Sequence, residues 1–469
     1  MPITRVARAN YTAGISNNYP GPPRLSAPYA STACQFCLPA RPRDFAPGGA
    51  RCARHARVGR PLAAQRTRAV RRILCARRDT GIASLPEPDP GVMVLRPRIT
   101  ALCLCLCLCL FALPAGAQHS LILPGATRSL LLDALRVGDR LLVTGDHGHI
   151  LYSDDGGSNW TQAAVPTRVM LTALAFPSPQ RGWAVGHDGQ ILVSVDGGMR
   201  WTVQRDGLAA QRRLDRQNLA RLETAVEACL RRLGSKALPD ERLSACSELA
   251  ELEAQRDLAR ERMAEPVHTA PLLDVFFVDD LTGLAVGAFN TLLRTTDGGV
   301  TWTAQGAALD NPYEFHLNAI TGGPDGKLWI AAEGGLLFHS GDGGATWETL
   351  ATPYEGSWFG IIRAPGTNTL VVFGLGGNAF RSVDGGRSWQ RVATGSARSL
   401  AGGVFINRRY ALLVGAVGTL LVSGDGGASF APRDWGGRQG LSAVAHAADH
   451  AILVGQGGIH RVHPFGGHP

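Results

Sequence analysis

The sequence predicts an all-β fold over residues 118–469: a seven-bladed β-propeller with an α-helical hairpin inserted between its second and third blades. Two regularities and one interruption carry this expectation. The phrase S/T-x-D-G-G-x-x-W/F recurs six times. An apolar strand running into a Gly-rich turn and a short apolar strand recurs seven times. Residues of helical composition fill the one wide gap between copies.

The first phrase places Asp155, Asp196, Asp297, Asp342, Asp384 and Asp425 at steps of 41, 101, 45, 42 and 41 residues, closing on Trp160, Trp201, Trp302, Trp347, Trp389 and Phe430. Steps near 42 are those of one four-stranded blade, and 101 is a blade plus an insertion. The chemistry is that of a hairpin turn. Asp accepts from the turn's own amides, the Gly pair enters φ > 0 without a Cβ clash, and the leading Ser or Thr adds a local bond. The aromatic then lays apolar surface on the blade. Six copies cannot mark one active site, so these residues read as structural.

The second phrase runs from LLVTGDHGHILYS to AILVGQGGIHRV at 451–462, and its seventh copy sets the blade number. Each blade is expected to run from an inner strand A through B and C to an outer strand D, with the Asp phrase as the C-to-D turn. The last blade runs out of chain after strand C near Val462. Residues 120–124, SLILP, are expected to supply its outer strand and so close the ring.

Residues 207–265 carry a helical stripe through Leu214, Leu222, Val226 and Leu230, then a second through Leu243, Leu249 and Leu258, with Gly234 and Pro239 at the join. Near that join stand Cys229 and Cys246. In an oxidising compartment they are expected to pair, contributing about 3 kcal/mol by chain entropy; two separate thiols are the alternative. As a D-to-A connection, the hairpin shares a face with the B-to-C turns. Variable loops on a rigid scaffold carry recognition, so the candidate binding residues are those of this face: Arg168, His187, Asp188, Glu333, Tyr354, Glu355, Arg398 and Arg438.

The N-terminal quarter reads differently. Residues 93–117 have a basic start at Arg96 and Arg98, an apolar run and Ala115-Gly116-Ala117, the order of a cleaved secretion signal. Residues 1–92 show no sustained period and read as a disordered basic extension or a start assigned too early, with Met93 as the initiator. The net charge of +9 is misleading in this light. Seventeen Arg oppose four acidic groups in residues 1–117, leaving 30 basic against 34 acidic from 118 on. A mildly acidic folded part gives no support to nucleic-acid binding.

The six Asp phrases with their preceding Gly-rich turns resemble the photosystem II assembly and stability factor family of seven-bladed propellers, over roughly 120–462. The resemblance implies an exported, non-enzymatic scaffold that assists assembly of a protein complex, periplasmic or secreted and peripheral to a membrane. It implies an exported or membrane-associated protein partner, no nucleic acid, no cofactor or metal, and no membrane span after signal cleavage. The long insertion departs from the family's compact pattern. Asp phrases also occur in sialidases, so a sialidase-like glycoside hydrolase and a ligand-binding propeller stand as alternatives; a hydrolase would draw on Glu333, Tyr354 and Glu355.

Overall fold

The computed structural model describes residues 119–234 and 239–465, with side chains of 239–246 left aside. The extension, the secretion signal and the tip of the insertion lie outside the described residues, as does the side chain of Cys246. The Cys229–Cys246 pairing therefore stands as a proposal, and Cys229 itself is buried.

Among the described residues, seven antiparallel sheets follow one another, six of four strands and the last of three. Their inner strands are Leu131–Val137, Leu171–Ala175, Leu272–Phe277, Leu317–Gly322, Trp358–Arg363, Leu400–Phe405 and Leu441–His446. Each neighbours the next, and the seventh lies beside the first, so the ring is closed. Strands buried on both faces need no polar alternation. Accordingly Gly182–Gly186, Leu328–Ala332 and Leu370–Gly374 are buried at every position. The core is a ring of clusters between blades; one joins blades four to six around Trp358, Phe373 and Phe405, each worth about 1.5–3 kcal/mol on burial.

Every inner strand has a register shift after its first residue. A bulge of this kind turns one side chain out of the ladder, and in four blades a polar one there ties to the next blade. Asp133 accepts from the Leu174 amide (2.8 Å) and Thr172 donates to the Leu272 carbonyl (2.7 Å). Asp274 accepts from the Ile320 amide (2.8 Å) and Asn318 donates to the Trp358 carbonyl (2.8 Å). The corresponding residues of blades five and six, Phe359, Gly360, Ala401 and Gly402, have no polar side chain to offer.

The expected strand exchange does not occur. Residues 120–124 form no strand, and among the described residues the seventh sheet stays at three. Polar groups on blade one hold this segment instead: Ser120 donates to the Val165 carbonyl, and the Gln162 side chain accepts from the Leu123 amide and donates to the Leu121 carbonyl. Leu121, Ile122 and Leu123 remain exposed. Closure comes from face-to-face packing of blade seven on blade one, with Leu131, Leu141 and Val143 against Val444, Ile452 and Val454.

The insertion is two helices, α1 at Gly207–Gly234 and α2 at Pro239–Ala264. Leu222, Val226, Cys229 and Ala259 are buried, whereas Leu214, Leu230 and Leu258 of the sequence stripe are half exposed. Salt bridges Arg260–Glu223 and Arg232–Glu248, both 2.8 Å, join the helices. At the base, Gly207 packs on the backbone of Asp188 and Gly189, where a Cβ would meet the Asp188 carbonyl. The hairpin therefore springs from the rim that carries the B-to-C turns. Among the described residues no helix is long and apolar enough to cross a membrane.

Candidate functional site

The two rims of the ring differ in chemistry. On the rim of the Asp phrases one geometry repeats six times. In blade one, Ser153 donates to Asp155 Oδ1 (2.8 Å) and accepts from the Gly157 amide (2.8 Å), while the Ser158 and Asn159 amides donate to the same carboxylate oxygen. Equivalent bonds organise Asp196, Asp297, Asp342, Asp384 and Asp425. The Asn159 amide holds the Asp155 carboxyl down at about 2; the Thr301 hydroxyl does so for Asp297 and the Thr346 amide for Asp342.

These turns also latch the blades together. The first glycine of each phrase has φ between 69° and 79°. Its carbonyl accepts a hydrogen bond from the preceding blade. The donors are Arg140 to Gly197 (2.9 Å), Gln204 to Gly298 (2.7 Å), Arg294 to Gly343 (3.1 Å), Trp329 to Gly385 (2.9 Å) and Arg381 to Gly426 (2.8 Å). The ring is completed by His450 of blade seven, whose Nε2 donates to the Gly156 carbonyl of blade one (2.7 Å).

On the opposite rim, each B-to-C turn places a residue in the left-handed region, and its identity changes from blade to blade. Gly334, Gly376 and Gly457 occupy this position without strain, but His147, Asp188, Phe289 and Val417 also occupy it, at φ of 57°, 55°, 53° and 55°. For a side chain with a Cβ this costs about 1–2 kcal/mol, and for a β-branched valine the conformation is an outlier. Phe289 and Val417 bury little in return, being 64% and 50% exposed. The Phe289 ring stands edge-on to His316 (4.9 Å), whose backbone amide donates to Glu333. Exposed Tyr313 stands beside Phe315, and half-exposed Leu375 tips the fifth turn.

All eight residues singled out from the sequence lie in B-to-C turns or D-to-A loops of this rim. Most are bonded to their surroundings. Arg168 donates to the His119 carbonyl (2.9 Å) and Arg398 to the Val417 carbonyl (2.9 Å). The Tyr354 hydroxyl donates to the Leu375 carbonyl (3.2 Å) and accepts from Asn378 (3.3 Å). Burial pushes the Tyr354 phenol up, away from the phenolate that a nucleophile requires. His187 and Asp188 form the turn that seats the hairpin base, Glu355 follows Tyr354, and Arg438 precedes the seventh inner strand. Among the described residues no three of His, Cys, Asp or Glu are grouped to hold a metal ion. Sequence reasoning missed Phe289, Tyr313, Leu375 and Val417; for Phe289 and Val417 the signal was a bulky apolar residue inside GAFNT and GAVGT where the other copies carry His, Asp or Gly.

Residues 254–402, from the second helix into the sixth blade, match the family model described as photosynthesis system II assembly factor YCF48. A photosystem II stability/assembly factor of rice chloroplasts, HCF136, is 33% identical over 84 residues. Over this stretch the chain resembles photosystem II assembly factors. The rice match takes in 17% of this chain and about a fifth (20%) of that protein's length. Among solved structures, YCF48 from Cyanidioschyzon merolae superposes on this propeller with a TM-score of 0.50 at 16% identity, over 74% of this chain and 98% of the other. YCF48 bound to D1 peptide gives 0.48 at 16% identity, over 74% and 96%.

Proposed function

We propose that the protein is an exported scaffold that assists assembly or stability of a protein complex by docking an exported or membrane-associated protein on the rim of B-to-C turns and helical hairpin. The observation that carries this reading is the pair Phe289 and Val417. Backbone strain held at an exposed turn tip stabilises nothing in the free molecule and is retained for what it presents. Phe289 and Val417 offer solvent-facing apolar contacts to a partner, and exposed Tyr313, half-exposed Leu375, Arg168, Arg398 and Arg438 stand on the same rim. The family match supports the assembly role. Export rests on the segment 93–117, with cleavage after Ala117 and a periplasmic or secreted destination.

A photo-crosslinking amino acid at 289 or 417, compared with one at Ser158 or Ala428 on the opposite rim, tests the docking face in the native compartment. A defined adduct from the first pair alone is expected. Equal adducts from both rims, or adducts from the second pair only, reject it. N-terminal sequencing of the same material is expected to begin at Gln118.

A further inference from the structure

The rim of Asp-phrase turns also surrounds a chamber that the docking reading does not use. It has a volume of about 710 Å³, within the range of small-molecule sites. Its floor is one level of the inner ring: Leu135, Ala175, Phe276 and Thr321, each the third residue after the bulge or its equivalent in blades one to four. Its walls are A-to-B turns, and three of these bring a proline: Pro177, Pro324 and Pro365. A water-filled axial channel would draw equally on all seven blades. This chamber draws on blades one to five.

We infer that this chamber is a binding site for a neutral small molecule with an apolar ring system. Three features define that class. First, the lining is more apolar than polar, with Leu135, Phe276, Val278 and the three prolines, while the rings of Phe176 and Phe277 behind it pack between blades on Trp201 and Trp183. Second, the one ion pair in the lining is already satisfied. Arg363 donates from both Nη atoms to Asp325 at 2.7 Å and from Nε to the Thr367 carbonyl at 2.7 Å, with its guanidinium 5.0 Å over Trp329. A charged ligand would lose water and gain no counter-charge. Third, the prolines fix their turns before any ligand arrives, which lowers the ordering cost of binding. Thr321 adds a hydroxyl to an otherwise apolar floor, room for one hydrogen bond. The chamber lies on the rim opposite the strained turns, so its occupancy and protein docking are tested separately.

The probe is N-phenyl-1-naphthylamine, titrated into the full chain by fluorescence, with 8-anilinonaphthalene-1-sulfonate as its anionic counterpart. One saturable site is expected, and the sulfonate should bind at least about tenfold more weakly. Val278→Trp and Pro177→Trp, each filling the chamber from a different turn, should each weaken the neutral probe about tenfold or more with an unchanged melting transition. A diazirine derivative of the probe on the unmodified chain gives a reading independent of any variant: labelling should fall on peptides holding Phe276, Thr321 or Thr367. Absence of saturation, tighter binding of the sulfonate, undiminished affinity in a folded filling variant, or labelling confined to other peptides would overturn the assignment.

Discussion

The rim of Asp-phrase turns and the rim of B-to-C turns are built on the same backbone device, a left-handed residue at the end of a two-strand ribbon, and use it in opposite ways. On the first rim that residue is glycine six times, and its carbonyl meets a donor from the preceding blade every time. On the second it is His147, Asp188, Phe289 or Val417 in four turns and glycine in three. Where chemistry repeats, the device supports the ring. Where it varies at a cost in strain, the side chain serves something outside the molecule.

The sharpest way to break this comparison is to remove a piece of the support. Asp274 accepts from the Val275 and Ile320 amides inside the inner ring (both 2.8 Å). Asp274→Ala strands buried donors in two blades and is expected to cost about 3 kcal/mol in urea unfolding. A loss below about 1 kcal/mol would show that the tie between blades three and four is dispensable.

A smaller effect is expected from pH at the closure. Burial, with Arg136 and His450 nearby, holds His446 of blade seven down at about 4. The unfolded chain takes up this proton near pH 6.5 and the folded one only near 4, so the folded state loses ground as pH falls through that window, by about 2–3 kcal/mol. His446→Asn should flatten this slope. The Asp-phrase carboxylates have depressed values, so their contribution is present above about pH 4 and is lost only as pH falls toward 2. Loss of stability that begins below pH 4 alone would remove His446 from the account.

The smallest effects carry opposite signs and sharpen the contrast directly. Gly385 has φ of 79°, and a methyl group on its Cα would meet nothing closer than Trp329 at 3.7 Å, an ordinary van der Waals contact. Gly385→Ala should therefore cost only the left-handed penalty, about 1 kcal/mol, and Val417→Gly should gain about as much by relieving it. Calorimetry of the two variants, with crosslinking at 289 retained as the functional readout, decides whether the valine is kept for folding or for docking.

The blade count, the inner strands and the place of the hairpin were legible because each depends on local periodicity, which Asp155 to Asp425 mark at nearly constant steps. The latches were not. Their donors are Arg, Gln, Trp and His side chains at differing positions along their blades, and only the acceptor glycine is constant. Residues 120–124 misled because an apolar pentapeptide of the right length says nothing about Gln162, whose side-chain amide captures it. The helical stripe through Leu214 and Leu230 misled similarly: two helices share one seam, so the buried set narrows to Leu222, Val226 and Cys229. The face of the candidate residues followed from connectivity, but Phe289 and Val417 look like ordinary strand filler until their φ is known.

Closure by packing and by His450, with no strand passed from one end to the other among the described residues, leaves the ring without a preferred starting blade. Its topology is that of a circle cut once, and the cut falls where no sheet is divided between head and tail. Chains opened elsewhere, for instance within the hairpin between residues 234 and 239, and rejoined by a linker from Phe465 to His119, would keep each sheet continuous. Gene rearrangements that rotate the blade order are thus open to this architecture, whereas a propeller sealed by strand exchange would have to break a sheet to follow.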